Sequence, residues 1–203
     1  MSRLRLGLSI GVLVLLGLGV WAGLSFQRMR TAALQWEGPV AEILSERLDK
    51  RAGTMTMEFT SRLDAPLADI WQAFSEPERS AEFSETIRVS RLLQAQGNSK
   101  LILFEMVMLG QPQRLSMQFT FLPGENRVRI RSVESQLSDI QGEYRFTPSP
   151  DGTKTLLTYT GTLKDKVSLP VPLALQKNAA RESFVSTVRA LKKGVESRNT
   201  ADS

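Results

Sequence analysis

The chain has 203 residues, and its 26 lysines and arginines against 21 aspartates and glutamates give a net charge of +5, with no histidine and no cysteine. The lack of histidine excludes a Ser-His-Asp triad and imidazole metal ligands, and the lack of cysteine excludes disulfides, thiolate nucleophiles and cysteine zinc sites. Catalysis would depend on carboxylates, hydroxyls, lysine, tyrosine or arginine, and no cofactor and no metal are expected. The length is that of one domain with its own hydrophobic core.

Most of the net positive charge belongs to the N-terminus. The first 30 residues contain four charged side chains, which are Arg3, Arg5, Arg28 and Arg30. Without them the chain has 22 basic against 21 acidic side chains. A nearly neutral domain lacks the basic surface of a nucleic-acid-binding protein, so no nucleic acid is expected as a partner.

The residues between these arginines form an uncharged run, LGLSIGVLVLLGLGVWAGLSF, at positions 6–26. A helix of these 21 residues spans about 31 Å, which matches the hydrocarbon core of a bilayer. We therefore expect residues 1–30 to be a single-pass anchor in a bacterial inner (cytoplasmic) membrane, with the domain on the periplasmic or extracytoplasmic side. The alternatives are a cleaved signal peptide, for which Val20-Trp21-Ala22 is a weak cleavage site, and a buried helix of a soluble protein.

Residues 31–53 are predicted to form a helix that links the anchor to the domain. Pro39 suits a first helical turn, and Gly53 is a plausible helix end. The apolar stripe of this helix consists of Val40, Ile43, Leu44 and Leu48. Their spacing is that of one helical face.

The period of the pattern changes to two at Thr54, which predicts a strand over residues 54–63. The Asp64-Ala65-Pro66 sequence then opens a short helix, and a second helical turn reaches Phe83. Six further strands are predicted between residues 86 and 163, because apolar and polar side chains alternate there and turn residues separate the runs.

A long amphipathic helix from Pro170 or Pro172 to about Arg198 closes the chain, and residues 199–203 are expected to be a disordered tail. The predicted fold class is α+β: a curved antiparallel sheet of about seven strands wrapped around the long C-terminal helix. An N-terminal transmembrane helix precedes it. Such a sheet and helix either fill the space between them or leave a cavity.

Three segments carry a family resemblance. They are residues 63–74 (LDAPLADIWQAF), residues 142–159 (containing GEYRFTP and DGTKTLLTY) and residues 170–196 (from PVP to ALKKGVE). Together they resemble the START/polyketide-cyclase (SRPBCC) superfamily and are similar to coenzyme Q-binding and polyketide cyclase/dehydrase-like proteins. The resemblance implies a helix-grip domain over residues 54–198 whose cavity binds or transforms hydrophobic molecules, without a universal catalytic motif.

Five of the seven methionines lie in predicted strands: Met55, Met57, Met106, Met108 and Met117. Flexible, polarizable side chains suit a cavity wall that adapts to varied apolar ligands, and they are equally typical of ordinary core packing. Five further apolar residues complete the candidate wall: Phe59, Phe104, Phe119, Phe184 and Val188.

Three polar groups are candidates for chemistry or ligand contact. Glu105 in the apolar run 101–109 points either into the cavity, as an acid or base, or outward, alone or paired with an arginine. Tyr144 and Tyr159 either present hydroxyls to a ligand or fill the core. One strand face carries Arg127, Arg129 and Arg131, which either meet anionic headgroups or form a solvated outer face.

The first hypothesis is a membrane-anchored protein that holds a lipid or other hydrophobic small molecule, with an isoprenoid quinone as one candidate. The second is a cyclase/dehydratase-type enzyme that uses Glu105 or a tyrosine. The lack of histidine, the commonest general base, counts against it. The third is a ligand-free interaction domain with a filled core. The sequence carries no signal of oligomeric state.

Overall fold

The computed structural model describes residues 35–38, 41–108, 111–167 and 171–201. The chain divides into two units, Met1–Pro39 and Val40–Ser203. In the first unit, residues 35–37 are helical, and the predicted anchor at residues 6–26 lies outside the described residues. Within the described ranges, no helix combines the length and the apolar character needed to cross a membrane.

One antiparallel sheet of eight strands forms the second unit. Its strands are β1 (Ser45–Arg51), β2 (Thr54–Leu63), β3 (Ile87–Gln96), β4 (Ser99–Met108), β5 (Gln111–Leu122), β6 (Arg127–Ser135), β7 (Ser138–Pro148) and β8 (Thr155–Asp165). The spatial order is β1-β2-β8-β7-β6-β5-β4-β3. Strands β3 to β8 therefore form a meander whose last strand pairs with β2.

The helices of this unit are α1 (Leu67–Phe74), a 3-10 turn (Pro77–Arg79), α2 (Ser80–Phe83), a second 3-10 turn (Pro123–Glu125) and the long α3 (Leu173–Ala201). Pro66 directly precedes α1, and the Ser75 hydroxyl donates to the Trp71 carbonyl at 2.7 Å where the helix ends. These elements confirm the predicted order of strand, short helices, strands and long helix. The predicted disordered tail is wrong over residues 199–201, which belong to α3. Residues 202–203 lie outside the described part.

The predicted linker helix over residues 31–53 is wrong from Ser45 onward, where the chain forms β1. This strand is the one that the predicted sheet of about seven strands did not include. Leu48 lies opposite Met57 in the β1–β2 ladder and packs against the core. Its burial is therefore explained by the inner face of a strand and does not require a helix. Ala52 and Gly53 have φ angles of 47° and 75°, as a two-residue hairpin requires. Gly53 thus closes a hairpin instead of ending a helix.

Helix α3 lies across the inner face of the sheet. The ring of Phe184 stacks on that of Phe59 in β2, with centroids 5.0 Å apart. One stripe of the helix is buried and consists of Phe184, Val185, Val188, Leu191 and Val195. Burial of such side chains contributes on the order of 1.5–3 kcal/mol each, and this apolar contact fixes the helix on the sheet.

Candidate functional site: a cavity between sheet and helix

A cavity of about 500 Å³ lies between the inner face of the sheet and the helices. Its wall includes side chains of β2, β4, β5, β6, β7 and β8, together with residues of α1, α2 and α3. The volume falls within the range of about 300–1,000 Å³ that is usual for small-molecule sites. Because strands from β2 round to β4 share one cavity, the sheet curves around α3 as predicted.

The structure places most of the predicted site residues in this wall. They are Met55, Met57, Phe59, Phe104, Met106, Met117, Phe119, Tyr144, Tyr159 and Phe184. Val188 is fully buried in the core but does not line the cavity. The Met108 side chain lies outside the described part of the structure.

Glu105 is the member of the predicted set that lies on the wrong face. Its neighbours Phe104 and Met106 both line the cavity. Glu105 itself is exposed and lies opposite Arg114 in the β4–β5 ladder. Phe104 and Met106 are two positions apart in β4 and share its inner face, so the alternation of side chains along the strand places Glu105 on the outer face. The hypothesis of a cavity carboxylate at this position is therefore wrong.

Small residues of α3 leave the space open. Besides Phe184, Leu191 and Arg198, the residues of α3 that line the cavity are Gln176, Ala179, Ala180, Ser183, Ser186, Thr187, Ala190 and Gly194, most of them small. These residues recur at helical spacing beside the buried apolar stripe. Leucine or phenylalanine at the same positions would fill the volume. This small-residue stripe was not predicted as a cavity wall, although its helical period is visible in the sequence.

Two tyrosines form the centre of one wall. Tyr144 lies opposite Tyr159 in the β7–β8 ladder, and their ring centroids are 4.7 Å apart. Phe74 of α1 packs on the other side of Tyr144 at 4.8 Å. Gly142 and Gly161 lie under the Tyr159 ring, since a Cβ at Gly142 would come within 2.6 Å of it. The two glycines therefore let this ring lie flat on the sheet.

The two phenols stay neutral at neutral pH and can donate hydrogen bonds. Burial raises the pKa of Tyr144 to about 12, and the Thr187 side chain opposes this shift. Burial also raises the pKa of Tyr159, and the adjacent Tyr144 adds to the shift. Both hydroxyls can donate a hydrogen bond to a ligand oxygen, and neither can act as a general base under ordinary conditions.

An ion pair lies at the end of the cavity near the start of α3. Lys50 of β1 donates to Asp165 Oδ2 and to Gln176 Oε1, each at 2.5 Å. The Lys50 and Asp165 side chains are each 14% exposed, and Asp165 and Gln176 line the cavity. This cluster was not predicted from the sequence, because Lys50 was expected to lie in the linker helix over residues 31–53.

A second charged cluster lies at the other end of α3. Arg198 donates to Glu76 Oε2 at 2.7 Å, and Glu76 also accepts from Arg79 at 3.1 Å. All three residues line the cavity. The side chains of Arg198 and Glu76 are 20% and 35% exposed, so this cluster is wetter than the one at Lys50.

The outer face of the sheet carries a different network. Arg127 and Arg129 each lie 3.3 Å from the Glu143 carboxylate, and Arg131 donates to Gln118 at 2.8 Å. These arginines are part of a solvated outer face. Among the residues that the structure describes, no group of acidic side chains has the arrangement of a metal site.

Comparison with known families identifies the domain. The family model for polyketide cyclase/dehydrase and lipid transport proteins matches residues 54–196. No curated protein matches the sequence significantly. The match confirms the resemblance to the START/polyketide-cyclase superfamily that three sequence segments indicated.

Solved structures share the fold. The Zhui aromatase/cyclase from Streptomyces sp. R1128 has a TM-score of 0.64 at 14% identity, over 71% of this chain and 95% of that one. A START superfamily protein from Mycobacterium smegmatis gives 0.59 at 20%, over 70% and 97%. A STAR-related lipid transfer protein from Xanthomonas axonopodis gives 0.59 at 17%, over 74% and 98%. At these identities the likeness establishes the helix-grip fold.

Proposed function

The chain belongs to the polyketide cyclase/dehydrase and lipid transport family, and on that premise we propose that it binds a lipid or other hydrophobic small molecule in its cavity. One observation carries the proposal: a volume of about 500 Å³ bounded mainly by methionine, phenylalanine and other apolar side chains. Such walls favour apolar ligands because burial removes hydrocarbon surface from water.

The size of the cavity supports a ligand more than a packing defect. Engineered cavities destabilise proteins by about 24 cal/mol per Å³, so a dry void of about 500 Å³ would cost on the order of 12 kcal/mol. That cost is comparable to the entire stability of an ordinary domain. A space of this size therefore holds water or a ligand and is not a dry void, and the filled core expected for a pure interaction domain is not what the structure contains.

Native mass spectrometry of the full-length protein, extracted in mild detergent, tests the proposal. We expect an adduct of a hydrophobic molecule, and its mass would identify the ligand, an isoprenoid quinone being one candidate. The Ala180→Phe variant should lose the adduct because residue 180 lines the cavity. Ala174→Phe makes the same change at an exposed position of α3 and should retain it. Equal adducts in both variants would contradict the proposal.

We further propose that residues 6–26 anchor the protein in the inner membrane, with the domain on the extracytoplasmic side. The uncharged run and its flanking arginines support this placement. An anchor would keep the cavity close to a membrane-dissolved ligand and raise its effective concentration. The full chain should resist carbonate extraction from membranes, and protease added to spheroplasts should degrade the domain. A carbonate-soluble chain of unprocessed mass would contradict the anchor.

A cyclase-type enzyme is the second candidate, favoured by the tyrosine hydroxyls of the cavity. Neutral phenols beside a bound polyketone could polarise a carbonyl and supply a proton. Incubation with a linear polyketone, followed by mass spectrometry, should then show loss of water from the substrate. That loss should disappear in Tyr144→Phe and Tyr159→Phe. If the native protein leaves the polyketone unchanged, the enzyme candidate is rejected and ligand binding remains the proposed function.

A further inference from the structure

The Asp165 carboxylate is only half satisfied. Its Oδ2 accepts a hydrogen bond from Lys50 Nζ at 2.5 Å. Its Oδ1 is buried and has no hydrogen-bond partner among the described residues. Asp165 lies in the cavity wall. A buried carboxylate oxygen without a donor is unfavourable, so a donor delivered through the cavity would stabilise it.

The surrounding side chains hold this carboxylate in place. Lys50 Nζ also donates to Gln176 Oε1, and Gln176 Nε2 donates to the Val171 carbonyl at 2.6 Å. Lys50 and Asp165 are 115 positions apart in the sequence and meet near the start of α3. The position of the carboxylate is therefore set before any ligand arrives.

A serine lies beside the carboxylate. Ser138 is paired with Asp165 in the β7–β8 ladder, and both side chains line the cavity. Directly opposed residues have Cβ atoms about 4.5–5.5 Å apart, so the serine hydroxyl and the carboxylate are close enough to contact the same ligand atom. The serine hydroxyl can donate and accept, whereas the carboxylate only accepts. Apolar residues, among them Ile140 and Leu163, surround this pair.

We propose that Ser138, Asp165 and Gln176 form a polar end of the cavity that binds the hydroxyl group of a neutral amphiphile. This inference rests on the proposed binding function. A small turn of the Asp165 side chain lets the ligand hydroxyl donate to Asp165 while it accepts from Ser138. The hydrocarbon part of the ligand lies along the methionine and phenylalanine wall.

The charge balance selects a neutral group. Lys50 already compensates Asp165, so a cationic head would add an unpaired positive charge beside Lys50. An anionic head would meet the carboxylate directly. The opposite end of the cavity supplies the competing possibility, because Arg198 Nη1 is also buried without a partner among the described residues. That end would suit a carboxylate ligand.

Three ligands of equal chain length separate these possibilities: dodecanol, its methyl ether and dodecanoate. Each is titrated against full-length, delipidated protein that carries a fluorescent apolar probe, and displacement of the probe gives the affinity. A hydrogen bond to a charged group predicts that dodecanol binds at least about tenfold more tightly than the methyl ether, which cannot donate.

Matched variants locate the effect. Asp165→Asn keeps the shape and should bring the alcohol-to-ether ratio close to one, without weakening the ether. The single variant Asp165→Asn leaves the charge of Lys50 unpaired. The double variant Lys50→Met, Asp165→Asn removes both charges and serves as its control. Ser138→Ala should weaken the alcohol and the ether alike, by about threefold each, because both ligand oxygens can accept one neutral hydrogen bond from the serine, and should leave the ratio unchanged. Glu105→Gln, exposed on the outer face, should leave the ratio unchanged.

The outcomes distinguish the two proposals. Equal affinity for alcohol and ether in the native protein would overturn the hydroxyl site and leave hydrophobic binding intact. Tighter binding of dodecanoate, lost in Arg198→Gln, would also overturn it and assign the ligand head to the other end. If neither the probe nor any of the three ligands binds, the proposed function itself fails with it.

Discussion

The two faces of the sheet are formed by the same strands but differ in composition and in contact with water. The inner face carries methionines, phenylalanines and the tyrosine pair, with the Lys50–Asp165 ion pair at one end. On the outer face Arg127, Arg129 and Glu143 form ion pairs in contact with water. Alternation along each strand explains which residues face inward, but it does not explain why the inner side is open.

The open space comes from α3, not from the sheet. Large side chains of the helix, such as Phe184 and Leu191, pack into the core. The adjacent stripe, with Ala180, Ser183 and Gly194, presents too little volume to fill the concave face. Stability and binding therefore depend on neighbouring faces of one helix, and changes on the inner side should matter far more than changes outside.

The largest difference between the faces is expected for adjacent residues of β2. Phe59 is 1% exposed and stacks on Phe184, so Phe59→Ala should lower the free energy of unfolding by about 3–5 kcal/mol. Glu58→Ala on the outer face should change it by less than about 0.5 kcal/mol. Urea denaturation followed by circular dichroism measures both. Similar losses for the two variants would show that the inner face is not the core.

Ion pairs on the two faces should also differ. Lys50→Met strands the Asp165 carboxylate in a site where both side chains are 14% exposed, and should cost about 2–4 kcal/mol. Arg129→Met removes a side chain that is 60% exposed and leaves Arg127 beside Glu143, so about 0.5 kcal/mol or less is expected. Thermal unfolding of the two variants under identical conditions measures the two losses of stability. A stable Lys50→Met variant would contradict the account of the inner pair.

The sequence predicted the inner face well where local pattern decides the structure. Residues 54–63 alternate strictly, and Pro66 marks the start of α1, so both elements follow from nearby residues. The methionines and aromatic residues of the wall could be assigned to the inner side for the same reason. Glu105 was ambiguous because the run 101–109 is apolar on both faces, and only strand pairing settles its direction.

Non-local contacts account for what could not be predicted. The spacing of Ile43, Leu44 and Leu48 fits a helix, yet residues 45–51 pair with the edge of β2 as a strand. The Lys50–Asp165 pair joins residues 115 positions apart and has no local signature. The small-residue stripe of α3 was visible as a helical period, but its meaning depends on the curved sheet that faces it.

A glycine on the inner face should be more sensitive to substitution than one in a turn. A Cβ at Gly161 would lie 2.6 Å from the Tyr159 ring and 2.8 Å from the Gln141 carbonyl oxygen. Gly161→Ala should therefore displace the ring into the cavity and destabilise the fold by about 1–3 kcal/mol. A Cβ at Gly124 would have no neighbouring atom within 4 Å, so Gly124→Ala should change the free energy of unfolding by less than about 0.5 kcal/mol. Denaturation midpoints and probe binding by the two variants provide the readout, and an undisturbed cavity in Gly161→Ala would refute the packing described.

The smallest expected difference between the faces is their response to pH. The chain has two tyrosines, and both lie on the inner face. Because burial raises the pKa of Tyr144 to about 12, its contribution to stability is present below pH 10 and is lost as the pH rises from about 10 to 12, at up to about 1.4 kcal/mol per unit. On the outer face burial raises the pKa of Glu143, but Arg127 and Arg129 outweigh burial and lower it.

The stabilising contribution of the ionised Glu143 carboxylate is therefore lost only as the solution becomes acidic. Ultraviolet difference spectra should show both phenols resisting ionisation at pH 10, with phenolate absorbance appearing together with unfolding. Tyr144→Phe should shift alkaline unfolding to higher pH, whereas Glu143→Gln should alter only the acid limb. Two phenols that titrate normally in the folded protein would place them in water and remove them from the cavity wall.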